Sequence, residues 1–103
     1  MNESDFHCFA DAMLATLEDV LEEADQAGFI DLEAAGSTLT VSLDDGKQFV
    51  VSKHAPTRQL WLSSPFSGAH HFTYDAEKRD WLLTDGRSLK QVLDSELAHV
   101  INP

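Results

Sequence analysis

Basic residues are missing from the first 46 positions: the first lysine is Lys47, and no arginine precedes it. Those 46 residues carry 12 acids, and the other 57 carry 6 acids and 7 bases, so the net charge of −11 is regional. A surface of that sign disfavours nucleic-acid phosphates and favours metal cations and basic proteins. Cysteine is almost absent. Cys8 alone excludes an internal disulfide and any multi-cysteine zinc or iron–sulfur ligand set. Its helical position, on a polar side near carboxylates, disfavours the thiolate. No apolar run reaches membrane-spanning length. The amino-terminal stretch has Glu3, Asp5 and Asp11 and no base, unlike a secretory or organelle-targeting leader. The expectation is one cytoplasmic bacterial domain over residues 1–103, without a membrane partner.

What is present begins with Phe6, Phe9, Ala10, Met13, Leu14, Leu17, Val20, Leu21 and Ala24. Spacings of three and one are those of a single helix face. The spacing predicts a helix from Asn2 to Gln26, capped by Asn2 and stopped at Ala27-Gly28. Its other face is acidic. Glu18 with Glu22, and Asp19 with Glu23, are like charges one turn apart, each pair costing about 0.2–0.5 kcal/mol. Glu22, Glu23 and Asp25 crowd the negative end of the helix dipole. The arrangement gives up on the order of 1–3 kcal/mol, which points to a role outside folding: a cation, a basic partner, or solubility.

Alternating segments follow: Phe29 to Ala34, which places Asp31 and Glu33 on one face, then Thr38 to Leu43 and the Asp45-Gly46 turn. A three-residue turn with Gly46 left-handed sets Val41 opposite Phe49 and Leu39 opposite Val51, keeping apolar residues on one face. Lys53 to Arg58 reads as a loop. Three short strands follow, at Gln59–Ser63, His70–Asp75 and Asp80–Leu83. Ser88 and Gln91 have capping-box spacing for a second helix with an apolar face from Leu89 to Ile101. The fold class is an α+β two-layer sandwich: about six antiparallel strands with amino- and carboxy-terminal helices packed on one face. If Leu60 and Leu62 face that core, Trp61 lies on the open face as an aromatic anchor for a protein. Trp81 is assigned to the core.

Carboxylates one turn apart can share a hard cation in an exposed site that discriminates poorly among iron, manganese, calcium and magnesium. His7 and Asp11, also one turn apart, are secondary candidates. His70 and His71 point to opposite faces of a strand and cannot easily chelate one ion. His54 and His99 show no partner. No nucleophile elbow, phosphate loop or zinc helix is present, so nothing argues for an enzyme.

The acidic helix, Asp31-Leu32-Glu33, Asp44-Asp45-Gly46, the segment Pro56-Thr57-Arg58-Gln59-Leu60-Trp61-Leu62-Ser63, then Gly68-Ala69-His70-His71-Phe72 and Asp80-Trp81 occur in this order. In that order they resemble the frataxin family, specifically its bacterial CyaY branch, over essentially the whole chain. The resemblance implies weak binding of ferrous or ferric iron by Glu18, Asp19, Glu22, Glu23, Asp25, Asp31 and Glu33. It implies a role in iron–sulfur cluster assembly and iron homeostasis, by regulating the cysteine desulfurase or delivering iron to the scaffold protein. Glu18, Glu22, Glu23, Gln59 and Trp61 would contact those partners, and the chain would be a monomer without iron. The alternative is an acidic interaction module that meets a basic protein surface, with metal binding incidental. Two departures stand out. Ser52 and His54 replace the Asn and Gln common before the proline segment. The Ala27-Gly28-Phe29 linker lacks the acids of many bacterial members, which implies a lower iron capacity.

Overall fold

The computed structural model describes residues 1–101. Helix α1 spans Glu3–Ala24, strands β1 to β6 span Ile30–Ala35, Thr38–Leu43, Gln48–His54, Gln59–Ser64, Gly68–Asp75 and Asp80–Leu82, and helix α2 spans Leu89–Ile101. A short 3-10 turn, Ala55–Thr57, joins β3 to β4. The strands form one antiparallel sheet in the order β1-β2-β3-β4-β5-β6. Each strand therefore pairs with its sequence neighbour, as short hairpin connections require. The two helices and the sheet make the α+β sandwich expected from the pattern.

Alternation builds the core. Leu39 and Val41 of β2, Phe49 and Val51 of β3, Leu60 and Leu62 of β4, and Phe72 of β5 are each at most 1% exposed. They meet Phe6, Ala10, Leu17 and Leu21 of α1 and Leu89, Val92, Leu93 and Leu97 of α2, all buried. Each large side chain so buried contributes about 1.5–3 kcal/mol of transfer free energy. Trp81 is buried against Phe6, edge to face at 6.0 Å. Val41 pairs with Phe49 and Leu39 with Val51. This is the register of the three-residue turn, closed by Leu43 N–H to Lys47 O and by Gly46 at φ +89°. Phe9, placed by spacing on the core face of α1, is instead 39% exposed and stacks on Tyr74 at 4.6 Å and 3°.

Both helix starts use the predicted caps. Asn2 Oδ1 accepts from Asp5 N–H at 2.7 Å. Ser88 and Gln91 bond reciprocally, each side chain accepting from the other's backbone N–H. The end of α1 departs from expectation. The helix stops at Ala24, two residues short of Gln26, with Asp25 as its C-cap. The Asp25 carboxylate accepts from Phe29 N–H at 2.8 Å and from Ile30 N–H at 2.9 Å. That local bonding competes with another helical turn and leads the chain into β1. The expected Lys53–Arg58 loop is shorter than predicted, because β3 runs on to His54 and places Lys53 in the sheet.

Candidate metal and partner site

The acids of α1 fall into two groups with different surroundings. In the amino-terminal half, Lys53 reaches up from β3. Its Nζ donates to Asp11 Oδ1 at 2.7 Å and lies 3.2 Å from His7 Nδ1. An ammonium has no lone pair, so His7 Nδ1 is the acceptor, and its Nε2 faces Glu3 Oε1 at 3.6 Å. The Lys53 side chain is 13% exposed. The secondary candidates His7 and Asp11 are thus brought together, but around a cation the fold already supplies. The signal was available in the sequence. Lys53 is the second base in the chain and follows Phe49 and Val51 at period two, which puts it on the helix side of the sheet.

The carboxy-terminal half has no such partner. Asp19, Glu22 and Glu23 are exposed and Glu18 is half-buried. No basic residue occupies the last turn of α1, so nothing offsets the negative end of its dipole. Strand β1 is a sheet edge. Asp31 and Glu33 pair with Ser42 and Thr40, on the sheet face turned away from the helices. Glu22, Asp25 and Asp31 nevertheless converge on one cleft of about 270 Å³ between the helix end and the β1 edge, floored by Ile30 and Leu32. Glu18 borders a different cleft with Asp11 and Lys53. Asp19, Glu23 and Glu33 line neither of these clefts. Both oxygens of Asp25 are engaged by backbone N–H groups, so Asp25 is first a structural acid.

Among the described residues no three His, Cys, Asp or Glu side chains converge at metal-ligand geometry. The donor set is all hard carboxylate oxygen, spread along a ridge and open to water. Such a set suits a cation that keeps most of its water ligands and is held loosely by one or two carboxylates.

The open sheet face holds a second feature. Trp61 pairs with Ser52 on one side and His71 on the other. The His54 ring stacks on one face of the indole at 3.7 Å and 11°, and the His71 ring on the opposite face at 4.2 Å and 14°. Trp61 Nε1 donates to Gln59 Oε1 at 3.0 Å, and Gln59 Nε2 donates to Thr73 Oγ1 at 3.3 Å. His54 Nδ1 lies 2.8 Å from Thr57 Oγ1. Trp61 thus faces away from the core as expected, but it is half-buried with both π faces covered, and offers its ring edge. His54, for which the sequence showed no partner, is one side of a three-ring ladder. Alternation plus antiparallel pairing was the signal that could have found it.

A family model, frataxin-like domain, matches residues 1–103. The chain belongs to the frataxin-like family. It is 44% identical over 82 residues to the iron-sulfur cluster assembly protein CyaY of Pseudomonas fluorescens, covering 80% of this chain and 72% of that protein. It is 42% identical over 81 residues to the CyaY of Pseudomonas aeruginosa, covering 79% and 72%. These relatives place it on the bacterial CyaY branch. Among solved structures, the frataxin of Psychromonas ingrahamii superposes with a TM-score of 0.84 at 24% identity, covering 96% of this chain and 90% of that one, which establishes the shared fold. A trimeric frataxin from the yeast Saccharomyces cerevisiae, complexed with ferrous iron, matches at TM-score 0.69 and 30% identity, covering 100% and 88%. Among the described residues no helix is long and apolar enough to cross a membrane.

Proposed function

We propose that this frataxin-like protein acts in iron–sulfur cluster assembly as a weak iron binder that regulates the cysteine desulfurase. Its acidic ridge meets ferrous iron and a basic partner surface in competition. The curated relatives named for cluster assembly and the yeast frataxin complexed with ferrous iron support the setting. One observation carries the reading for this chain: Glu18, Asp19, Glu22, Glu23, Asp31 and Glu33 make no ion pair with a basic side chain among the described residues, whereas Asp11 of the same helix does. One ridge cannot fully neutralise a cation and a basic patch at once, so occupancy by one weakens the other.

Delivery of iron to the scaffold protein is the second use of the same ridge. Contact with a basic protein with metal incidental is the competing reading, favoured by the spread of the carboxylates along the ridge, with no convergent ligand set among the described residues. The deciding experiment is a pull-down with purified desulfurase, with ferrous iron and with chelator, comparing the natural chain with Glu18→Lys, Glu22→Lys and Glu23→Lys combined. Regulation by competition predicts capture that changes with iron and is abolished by charge reversal. Capture indifferent to iron but lost on reversal supports the interaction module. Capture that survives reversal with unaltered salt dependence contradicts both.

A further inference from the structure

We infer that the open face of the sheet carries a pocket for an arginine side chain of the basic partner, walled by His71 and completed by Asp75. The inference rests on the reading that the partner is basic, and it adds which basic residue is read and where. His71 lines a surface cleft of about 530 Å³, the largest of those described, with Thr73, Asp75, Lys78, Leu82 and Leu83. One face of its imidazole lies on Trp61, and Trp61 is backed in turn by His54. The wall is therefore a planar ring braced by two more rings, with the indole held by Gln59. Leu82 and Leu83 give the cleft an apolar floor.

Asp75 Oδ1 accepts from Glu77 N–H at 2.9 Å and Lys78 N–H at 3.0 Å, which fixes the carboxylate at the cleft. No hydrogen bond among the described residues engages its Oδ2. A flat ring, a carboxylate with an oxygen to spare and an apolar floor are what a guanidinium on an alkyl stem needs: stacking, a charge-assisted hydrogen bond, and a surface for the methylenes. A lysine ammonium uses the carboxylate but cannot stack flat on the ring, and so gains less from it than a guanidinium does. Lys78 shares the cleft and opposes any cation, so what the site offers is selectivity between cations rather than general attraction. General attraction comes from the net charge of −11 and from Asp31 and Glu33 on the same sheet face.

The test titrates an arginine octapeptide and a lysine octapeptide into the natural chain at pH 8 and low salt. Leu82 and Leu83 methyl resonances locate the site, and affinity is read by calorimetry. The expected result is about three- to tenfold tighter binding of the arginine peptide, the scale of one or two stacked guanidinium contacts, with shifts at both leucines. His71→Ala removes the preference while the lysine peptide binds as before. His71→Phe, which keeps a flat ring, retains it. Equal affinities in the natural chain, or a preference that survives His71→Ala, overturn the inference. Should neither peptide bind, the basic-partner reading itself fails, and with it this pocket.

Discussion

Two halves of one helix carry charge of the same sign and meet opposite fates. Near its start, Asp11 and His7 enclose the Lys53 ammonium, a nearly buried cation that ties α1 to the middle of the sheet. Near its end, Glu18, Asp19, Glu22 and Glu23 repel each other and the helix dipole, with no base in the last turn and none around the cleft that Glu22 shares with Asp25 and Asp31. Elsewhere Asp45 pairs with Lys47 and Asp85 with Arg87 across tight turns, while Asp75, Glu77, Asp80, Asp94 and Glu96 stand singly, with no ion pair among the described residues. What sets the ridge apart from those scattered acids is concentration: its like charges stand one turn apart, against the negative end of the helix dipole. Charge count alone does not separate the two halves. The position of one lysine does.

The comparison breaks most visibly at Asp25, an acid inside the ridge that the fold uses. Asp25→Ala removes two charge-assisted hydrogen bonds to Phe29 and Ile30 N–H and should destabilise the protein by about 2–3 kcal/mol, read as a lowered urea midpoint with unchanged slope. Lys53→Ala should cost about 1–2 kcal/mol, because it strands Asp11 and His7 and removes a mostly buried stem. It should also sharpen the contrast by creating a metal response, manganese broadening of His7 and Asp11 signals, that the natural chain is expected to lack.

Glu18→Gln, Glu22→Gln and Glu23→Gln combined should act the other way. Relief of like-charge and dipole repulsion raises stability by about 1 kcal/mol, and calorimetry should show a higher melting temperature together with weaker iron binding. A variant that melts lower would show that these acids make stabilising contacts after all.

The smallest effect belongs to the turn pairs. The Lys47 side chain bonded to Asp45 lowers its carboxyl below the ordinary value, and the Arg87 backbone N–H does the same for Asp85. A carboxyl lowered in the folded state adds stability that is present above the unfolded value and is lost as pH falls through the folded one. Asp45→Asn should therefore be slightly less stable than the natural chain at pH 7, with the difference closing below about pH 4. Both carboxylates are exposed to solvent, so high salt should erase the difference.

Much of this was legible in the residues. Period two in β2 and β3 gave the strand register, since only one alignment keeps Val41 against Phe49 and Leu39 against Val51. Asn2, Ser88 and Gln91 announced their caps. Phe9 was misplaced because helical spacing cannot say how wide the buried stripe is: Phe6 and Ala10 on either side of it are fully buried, while Phe9 lies at the margin of the stripe against Tyr74. The end of α1 was missed because Asp25 reads as one more acid in a band until its carboxylate is seen bonded to the next strand. The candidate ridge was legible as charge and its division only in part: alternation after Phe49 and Val51 puts Lys53 on the helix side of the sheet, but does not say that it meets Asp11, 42 residues away in sequence. The same holds for the ladder: His54, Trp61 and His71 become neighbours only through strand pairing.

The most direct test of the divided helix is an NMR titration of the natural chain with ferrous iron at low salt, following every backbone amide of α1 and β1. The account predicts shifts or broadening from Glu18 to Glu33, strongest around Glu22 and Asp31, and none at His7 and Asp11. Equal perturbation at both ends of α1, or none between Glu18 and Glu33 at millimolar iron, would contradict it.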